Sequence, residues 1–320
     1  MKGVVSILIP VFNREDFIIQ TIQSALNQTY SNIEIIVVDN ASTDSSWSEI
    51  QRIAKLDSRI KPFQNEINIG PVRNWRRCVD EATGFFGKIL WSDDLIAPNF
   101  VEKCLALLDP DTAFVYSTVR VFKDNSNSGV TLYACDETGH KKSGHYIRNA
   151  LFGAGVPVSP GCALFRMEDL RSYLFVDIPN KVGSDFSMHA IGNDLLLFLM
   201  TAKDYRNYGI ISEPLALFRH HTGSITVSSS EARLAVHYSI VRAFFCENHY
   251  QSELDRMVAF VWLLLKRYPE SRSFNVYSVD DFFHCRVSVR FRYLLLLMYS
   301  RIAGLPKRVI RKFRRIIGGV

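Results

Sequence analysis

Hydrophobic residues in the first 120 positions alternate between two spacings. Val4–Pro10 (VVSILIP) and Ile33–Val38 (IEIIVV) are nearly continuous apolar runs, the pattern of strands buried on both faces. Between them, Glu15–Asn27 places Phe17, Ile18, Ile22, Ala25 and Leu26 at helical intervals. The succession then repeats. A helix is expected over Ser42–Leu56, with Ser42, Thr43 and Asp44 as capping oxygens, then a strand at Ile60–Gln64 and the loop Asn65–Pro71. A helix from Val72 to Ala82, a strand at Phe86–Trp91 stopped by Ser92-Asp93-Asp94, a helix after Pro98 and a strand at Ala113–Phe122 follow. Strands separated by helices predict crossover units, hence an α/β fold with a mostly parallel central sheet flanked by helices.

Residues 123–145 are rich in Asn, Ser, Gly, Asp and Lys and read as a loop or hairpin insertion, since a sheet-like run resumes at Gly161–Arg166. From Glu231 the spacing turns helical, over Glu231–Tyr250, Glu253–Tyr268 and Asp281–Ala303. No internal repeat or long low-complexity segment interrupts the chain. The expected organisation is a catalytic domain over residues 1–228, a helical region over 229–303 and a short basic helix over 304–320.

In open parallel sheets, ligands bind beyond the carboxyl ends of the strands. Here those ends carry Asn13, Asp39-Asn40, Asn65–Arg73 and Asp93-Asp94. Each alone reads equally as a turn former; four in register mark the sheet edge as a site. No G-x-G-x-x-G follows the first strand and no G-x-x-x-x-G-K-[ST] occurs, which disfavours a dinucleotide site and excludes a P-loop. The Asp93-Asp94 pair offers hard oxygens suited to Mg²⁺ or Mn²⁺ bridging a diphosphate, the bland alternative being a solvated turn.

These residues resemble, in order and spacing over residues 3–226, the motifs of the family 2 glycosyltransferases. The segments are Ser6–Asn13 (SILIPVFN), Glu34–Asp44 (EIIVVDNASTD), Asn65–Asn74 (NEINIGPVRN), Ser92-Asp93-Asp94, Gly192–Leu195 (GNDL) and Phe218–Ile225 (FRHHTGSI). The resemblance implies a GT-A fold and an inverting, nucleotide-sugar-dependent, metal-dependent glycosyltransferase. By position it implies that Pro10, Val11, Phe12 and Asn13 line the base pocket, with Phe12 against the ring. Asp39 would accept hydrogen bonds from base or ribose, and Asn68, Gly70 and Arg73 would lie near ribose and diphosphate. Asp93 and Asp94 would contact ribose and metal, His221 would approach the metal or diphosphate, and Asp194 would be the catalytic base. A single base on the far face of the sugar suits inversion, while a cation and Arg73 would stabilise the departing diphosphate. Helix capping is the structural alternative for Asp194, and Asp185 is the fallback base. The chain departs from the pattern at Trp91, where the first acid of the usual Asp-x-Asp stands, and at Asn193, where a Glu usually precedes the base. No Q-x-x-R-W occurs, which favours one sugar per visit over processive synthesis.

Charge adds a location. The 320 residues carry a formal +6, with 38 Lys/Arg against 32 Asp/Glu. Residues 280–320 hold ten of the basic and two of the acidic side chains, so the rest of the chain is slightly acidic. In Leu305–Ile317, Leu305, Val309, Ile310, Phe313, Ile316 and Ile317 follow helical spacing, and Lys307, Arg308, Arg311, Lys312, Arg314 and Arg315 fill the remaining face. A basic amphipathic helix fits an anionic membrane surface; a solvated end or a partner-binding helix are the alternatives. Nucleic-acid binding is not expected, because the main domain has no basic stripe. Six scattered cysteines without a C-x-x-C pair, and apolar stretches too short to span a bilayer, predict a cytoplasmic chain. The expected location is peripheral, on the cytoplasmic face of the inner membrane, with a saccharide or lipid-linked saccharide as acceptor for surface polysaccharide of O-antigen or capsule type. Two other readings stay open. One is a sugar nucleotidylyltransferase, which would want a Gly-rich loop where Pro10–Arg14 stands. The other is a non-catalytic sugar-nucleotide or membrane-binding module, against which Asp93, Asp94 and Asp194 speak.

Overall fold

The two apolar runs form the centre of a sheet in this computed structural model, which describes residues 3–153, 155–221, 223, 229–295 and 297. In chain order the first unit contains β1 (Val5–Val11), α1 (Ile18–Leu26), β2 (Ile33–Asp39), α2 (Ser46–Ala54), β3 (Ile60–Gln64) and α3 (Pro71–Glu81). There follow β4 (Phe86–Ile89), β5 (Leu95–Ile96), α4 (Phe100–Leu107), β6 (Thr112–Phe122), β7 (Val130–Leu132) and β8 (Gly139–Lys142). Helix α5 (Ser143–Phe152), β9 (Ala163–Arg166), α6 (Met167–Tyr173), α7 (Phe186–His189), α8 (Asn193–Ala202) and β10 (Asn207–Arg219) complete it. Both β1 and β2 are buried along their whole length, as continuous apolar runs require.

The sheet runs β3-β2-β1-β4-β9-β6-β10-β5, with β7 on β6 and β8 on β10. Strands β1 to β4 pair parallel with one another in the order β3-β2-β1-β4, and β10 pairs parallel with β6. Short β9 is antiparallel to both β4 and β6. Two antiparallel steps restore direction, so β1–β4, β6 and β10 all point the same way and their carboxyl ends share one edge. Pro62 is tolerated in β3 because that strand is the sheet edge. Pro214 sits at register shifts in β10, between the stretch that pairs with β8 and the stretch that pairs with β5.

The polar stretch 123–145 supplies β7, which folds back on β6, and β8, which joins β10 instead. Helix α2 begins at Ser46, later than the spacing predicted. Asp44 Oδ1 accepts the Ser46 amide, whereas Ser42 Oγ accepts the Asn13 amide and so serves the end of β1.

A second compact unit combines Pro179–Ser184 with the described residues from Glu231 onward. Its helices are Glu231–His249 and Leu254–Arg267. The expected helix over Asp281–Ala303 is interrupted, because residues 283–290 have no helical structure. Phe283 is buried there, and Glu247 accepts the His284 amide at 3.0 Å and also the Cys285 amide. Those bonds take amides that a helix would use, and β-branched Val287 and Val289 favour extended backbone. The predicted basic helix 304–320 lies outside the described residues. Among the described residues no helix is long and apolar enough to cross a membrane, and all six cysteines are free thiols.

Candidate active site

Three strand ends converge on one aspartate. Asp93, in the turn after β4, accepts Arg14 Nε at 3.2 Å and lies 2.8 Å from His221 Nε2, both through Oδ2. The Gly223 amide donates to His221 Nδ1 at 3.2 Å, which leaves Nε2 as the donor to Asp93. Arg14 continues from β1 and bonds the carbonyl of Asn13, while His221 follows β10. Arg219 closes the arrangement: its amide donates to Asp94 Oδ1 at 2.8 Å and its Nε to the Asp93 carbonyl at 3.0 Å. From beneath, Thr21 Oγ1 on α1 bonds the carbonyls of Ser92 and Asp94. Asp94 is 5% exposed. Burial and the neighbouring Asp93 charge push its carboxyl well above the usual carboxylate range, outweighing the Arg219 amide and the Lys88 charge.

The other side of the edge is built from amides. Asp39, at the end of β2, is fully buried; its Oδ2 accepts the Ser42 amide at 3.0 Å and Gln64 Nε2 at 3.2 Å. Its Oδ1 is buried without a hydrogen-bond partner among the described residues. Asn40 Oδ1 accepts from Asn65 Nδ2 and the Ile69 amide, and its Nδ2 donates to Asn68 Oδ1. Asn68 also accepts the Gly70 amide, so it shapes the loop that delivers Gly70 to the start of α3. Gly70 has φ of +86°, and a Cβ there would meet Met188 Sδ at 2.6 Å. Asn13 is held by Thr43 and Ser42. Pro10 and Val11 are buried within the strand, leaving Phe12, 40% exposed, at the open edge.

Arg73 and the two candidate bases lie on later elements. Arg73 Nη1 bonds Ser187 Oγ at 2.5 Å and Nη2 lies 3.7 Å from Asp177, rather than meeting the strand-end carboxylates. Ser187 in turn donates its amide and hydroxyl to Asp185 Oδ1, and these bonds hold the Asp185 carboxyl below its usual range. Asp185 is thereby committed to starting α7. Asp194 stands in the first turn of α8, half-buried, with Oδ1 accepting the amides of Gly192 and Leu195. Beneath it, fully buried Asn193 donates to the carbonyls of Phe175 and Val176. A glutamate in that place would turn acceptors toward those carbonyls, which gives the local departure at Asn193 a physical reason.

Two side chains that the sequence reading passed over are central. Arg14 ties β1 to Asp93; its signal is a cation directly after a buried strand. Lys88 is fully buried on β4 and donates to the carbonyls of Ile89, at 2.8 Å, and Gly161. Burial lowers its pKa to about 8, with the Asp94 charge opposing. Its signal is one charge within an otherwise apolar run. Trp91 also takes a structural place: its Nε1 bonds Ser159 Oγ at 3.0 Å and its ring packs on Trp75.

Among the described residues no group of three or more His, Cys, Asp or Glu side chains is arranged to hold a metal ion. Of the expected set Asp93, Asp94 and His221, the His221 ring bonds Asp93 itself. Asp93 Oδ1 and Asp94 Oδ2 accept no hydrogen bond among the described residues. Two hard oxygens fit a magnesium-like ion that takes its remaining ligands from phosphate and water.

The fold is of GT-A type. Residues 6–174 match glycosyl transferase family 2, and the chain belongs to that family. It is 28% identical over 268 residues to EpsH of Bacillus subtilis, covering 79% of this chain and 74% of EpsH. It is 35% identical over 127 residues to the Escherichia coli UDP-Glc:alpha-D-GlcNAc-diphosphoundecaprenol beta-1,3-glucosyltransferase WfaP, over 39% of this chain and 50% of that protein. Two uncharacterized Haemophilus influenzae glycosyltransferases are matched over only 32% and 40% of their length. Among solved structures, S. aureus TarS in complex with UDP-GlcNAc superposes with a TM-score of 0.63 at 17% identity, covering 97% of this chain and 83% of that one. The chain spans less than half the length of the first curated relatives it matches.

Proposed function

We propose that this glycosyltransferase moves a single sugar from a nucleoside-diphosphate donor to a saccharide carried on a lipid diphosphate, with inversion, during assembly of a bacterial surface polysaccharide. TarS, of the same fold, is named with UDP-GlcNAc, and WfaP, a relative, is named for a diphosphoundecaprenol-linked acceptor. Residues 1–228 would form the catalytic domain and 229–303 a helical region. The basic segment 304–320 would hold the enzyme on the cytoplasmic face of the inner membrane.

In this reading Asp39 receives the base or ribose through Oδ1, Phe12 and Asn13 border the base, and Arg73 and Gly70 at the start of α3 lie toward the diphosphate. Asp93 Oδ1 and Asp94 Oδ2 would hold Mg²⁺ or Mn²⁺, whose charge would stabilise the departing diphosphate. Asp194 takes the proton of the acceptor hydroxyl as that oxygen attacks the anomeric carbon. Its position on a helix, rather than among the strand ends, suits attack from the face opposite the leaving group. Arg14 and His221 fix the rotamer of Asp93.

The observation that carries the reading is the fully buried, unpartnered Asp39 Oδ1 at the sheet edge that bears Asp93 and Asp94. A buried acceptor costs free energy until a donor reaches it, and a nucleobase N–H or ribose hydroxyl is such a donor. Thermal shift across UDP-, GDP-, dTDP- and CDP-sugars with Mg²⁺ or Mn²⁺ tests it. One donor should raise the transition temperature, and Asp39→Leu should abolish that rise. Absence of stabilisation by every nucleotide sugar would overturn the reading.

A further inference from the structure

Away from the strand-end site, a cleft of about 560 Å³ opens where β8 lies along the start of β10. It is lined by His140, Lys141, Lys142, His145 and Asn207. Every ionisable group in that lining is basic. Lys142 Nζ is steadied by a neutral partner, Asn207 Oδ1, at 3.1 Å. Neither Lys141 nor Lys142 forms an ion pair among the described residues. Tyr208 Oη, at 2.9 Å from Nδ1, and Asn149 Nδ2, at 3.0 Å from Nε2, hold the His145 ring. Asp109 lies 3.7 Å from His140, whose Nε2 contacts the Leu107 carbonyl at 2.8 Å.

The backbone adds to the positive field. Lys142 is the N-cap of α5 and His145 lies in its first turn, so the start of a ten-residue helix borders the cleft. No side chain caps that helix and no acidic residue occupies its first turn. Ser143, its first residue, is 3% exposed, and its Oγ has no hydrogen-bond partner among the described residues. The Ser143 amide is taken by the Arg206 carbonyl at 3.1 Å; the positive end of the helix and two ammonium groups together favour a multivalent oxyanion. We propose that this cleft binds a phosphate group, free or borne on a lipid headgroup. It is distinct from the donor site: the 13-residue β10 starts at the cleft and ends at Arg219, a span of up to roughly 40 Å for extended chain.

The test uses the full chain with labelled histidine rings, assigned through His140→Gln and His145→Gln. Inorganic phosphate and pyrophosphate are titrated while the ring resonances are followed, a readout that occupation of the donor site does not share. Co-sedimentation with phosphatidylglycerol or phosphatidylcholine vesicles is measured in parallel. The variant is Lys141→Glu/Lys142→Glu. Both side chains are exposed, and acidic residues suit a helix start, so the fold should persist; Lys142→Gln supplies a milder version. A saturable shift that weakens roughly tenfold or more in the double variant is expected. If the same variant also loses phosphatidylglycerol binding, the ligand is a headgroup; if vesicle binding is unchanged, it is a soluble phosphate. Loss of vesicle binding without a phosphate shift also supports a headgroup. Unmoved histidine resonances together with unchanged vesicle binding would overturn the proposal. Donor-induced stabilisation, read on the same samples, keeps this result separate from the catalytic reading.

Discussion

His221 Nε2 donates to Asp93 Oδ2 across 2.8 Å, joining the chain beyond β10 to the turn after β4. Arg14 reaches the same oxygen from β1 at 3.2 Å, so one carboxylate fixes three strand ends. Residues that orient a ligand-bearing side chain typically contribute roughly ten- to a hundredfold. His221→Ala and Arg14→Ala should each lower kcat/KM by that order. Because they share Asp93, the double variant should lose less than the product of the two effects. A strictly multiplicative loss in steady-state assays would show that the two act independently.

Asp194→Asn keeps size and replaces the proton acceptor. General-base loss costs roughly 10²- to 10⁴-fold, and kcat should fall by that order while nucleotide affinity, measured by calorimetry, stays within error. Wild-type turnover in this variant removes Asp194 from the reaction.

Glu34 is a structural carboxylate within β2. Its Oε1 accepts Ser6 Oγ and the amides of Thr83 and Gly84, and its Oε2 accepts Lys61 Nζ. Desolvation raises its pKa, but these bonds outweigh it and bring the value from 4.5 to about 2. The depressed folded-state pKa means that its contribution is present above pH 4.5 and is lost as pH falls toward 2. Glu34→Gln should cost about 1–3 kcal/mol at neutral pH and flatten the acid limb of stability between those values. Chemical denaturation at pH 7 and pH 3 reads both effects; an equal loss at the two pH values would contradict the assignment.

Gly70 opens α3 at a positive φ that side chains rarely adopt. Gly70→Ala should cost about 1–3 kcal/mol of stability and weaken donor binding by displacing the start of α3. Adding Met188→Ala removes the close contact but not the backbone strain, so urea unfolding should show partial recovery only. Full recovery would place the whole cost in the contact.

The terminal basic segment makes a separate prediction. Removing residues 305–320 should abolish co-sedimentation with anionic vesicles while leaving transfer to a soluble acceptor unchanged. Retained vesicle binding would assign membrane attachment elsewhere in the chain.

Local patterns carried much of the fold. The runs that became β1 and β2 are apolar at almost every position because both sheet faces are covered, and β3 occupies the segment its spacing predicted. Asp39, Asp93 and Asp94 were legible as strand-end acids because parallel strands place such residues on one edge. The break at 283–290 was not legible: Glu247 takes the amides there from a helix distant in sequence, and periodicity carries no information about such a partner. Asp185, the fallback to Asp194 in the sequence, is committed to Ser187 by the structure, a contact that spacing along the chain does not show.

By itself, the sequence determined the α/β succession, the family and the strand-end position of the acids, since all three depend on spacing between near neighbours. Only the tertiary structure decided that β9 runs antiparallel between β4 and β6, which leaves the later strands facing the same edge. It also decided that Arg14 and His221 meet at Asp93, that buried Lys88 donates to the Gly161 carbonyl, and that β8 pairs with β10 along the second, basic cleft. Each of these joins residues far apart along the chain, so its geometry comes into being only when the sheet closes around them.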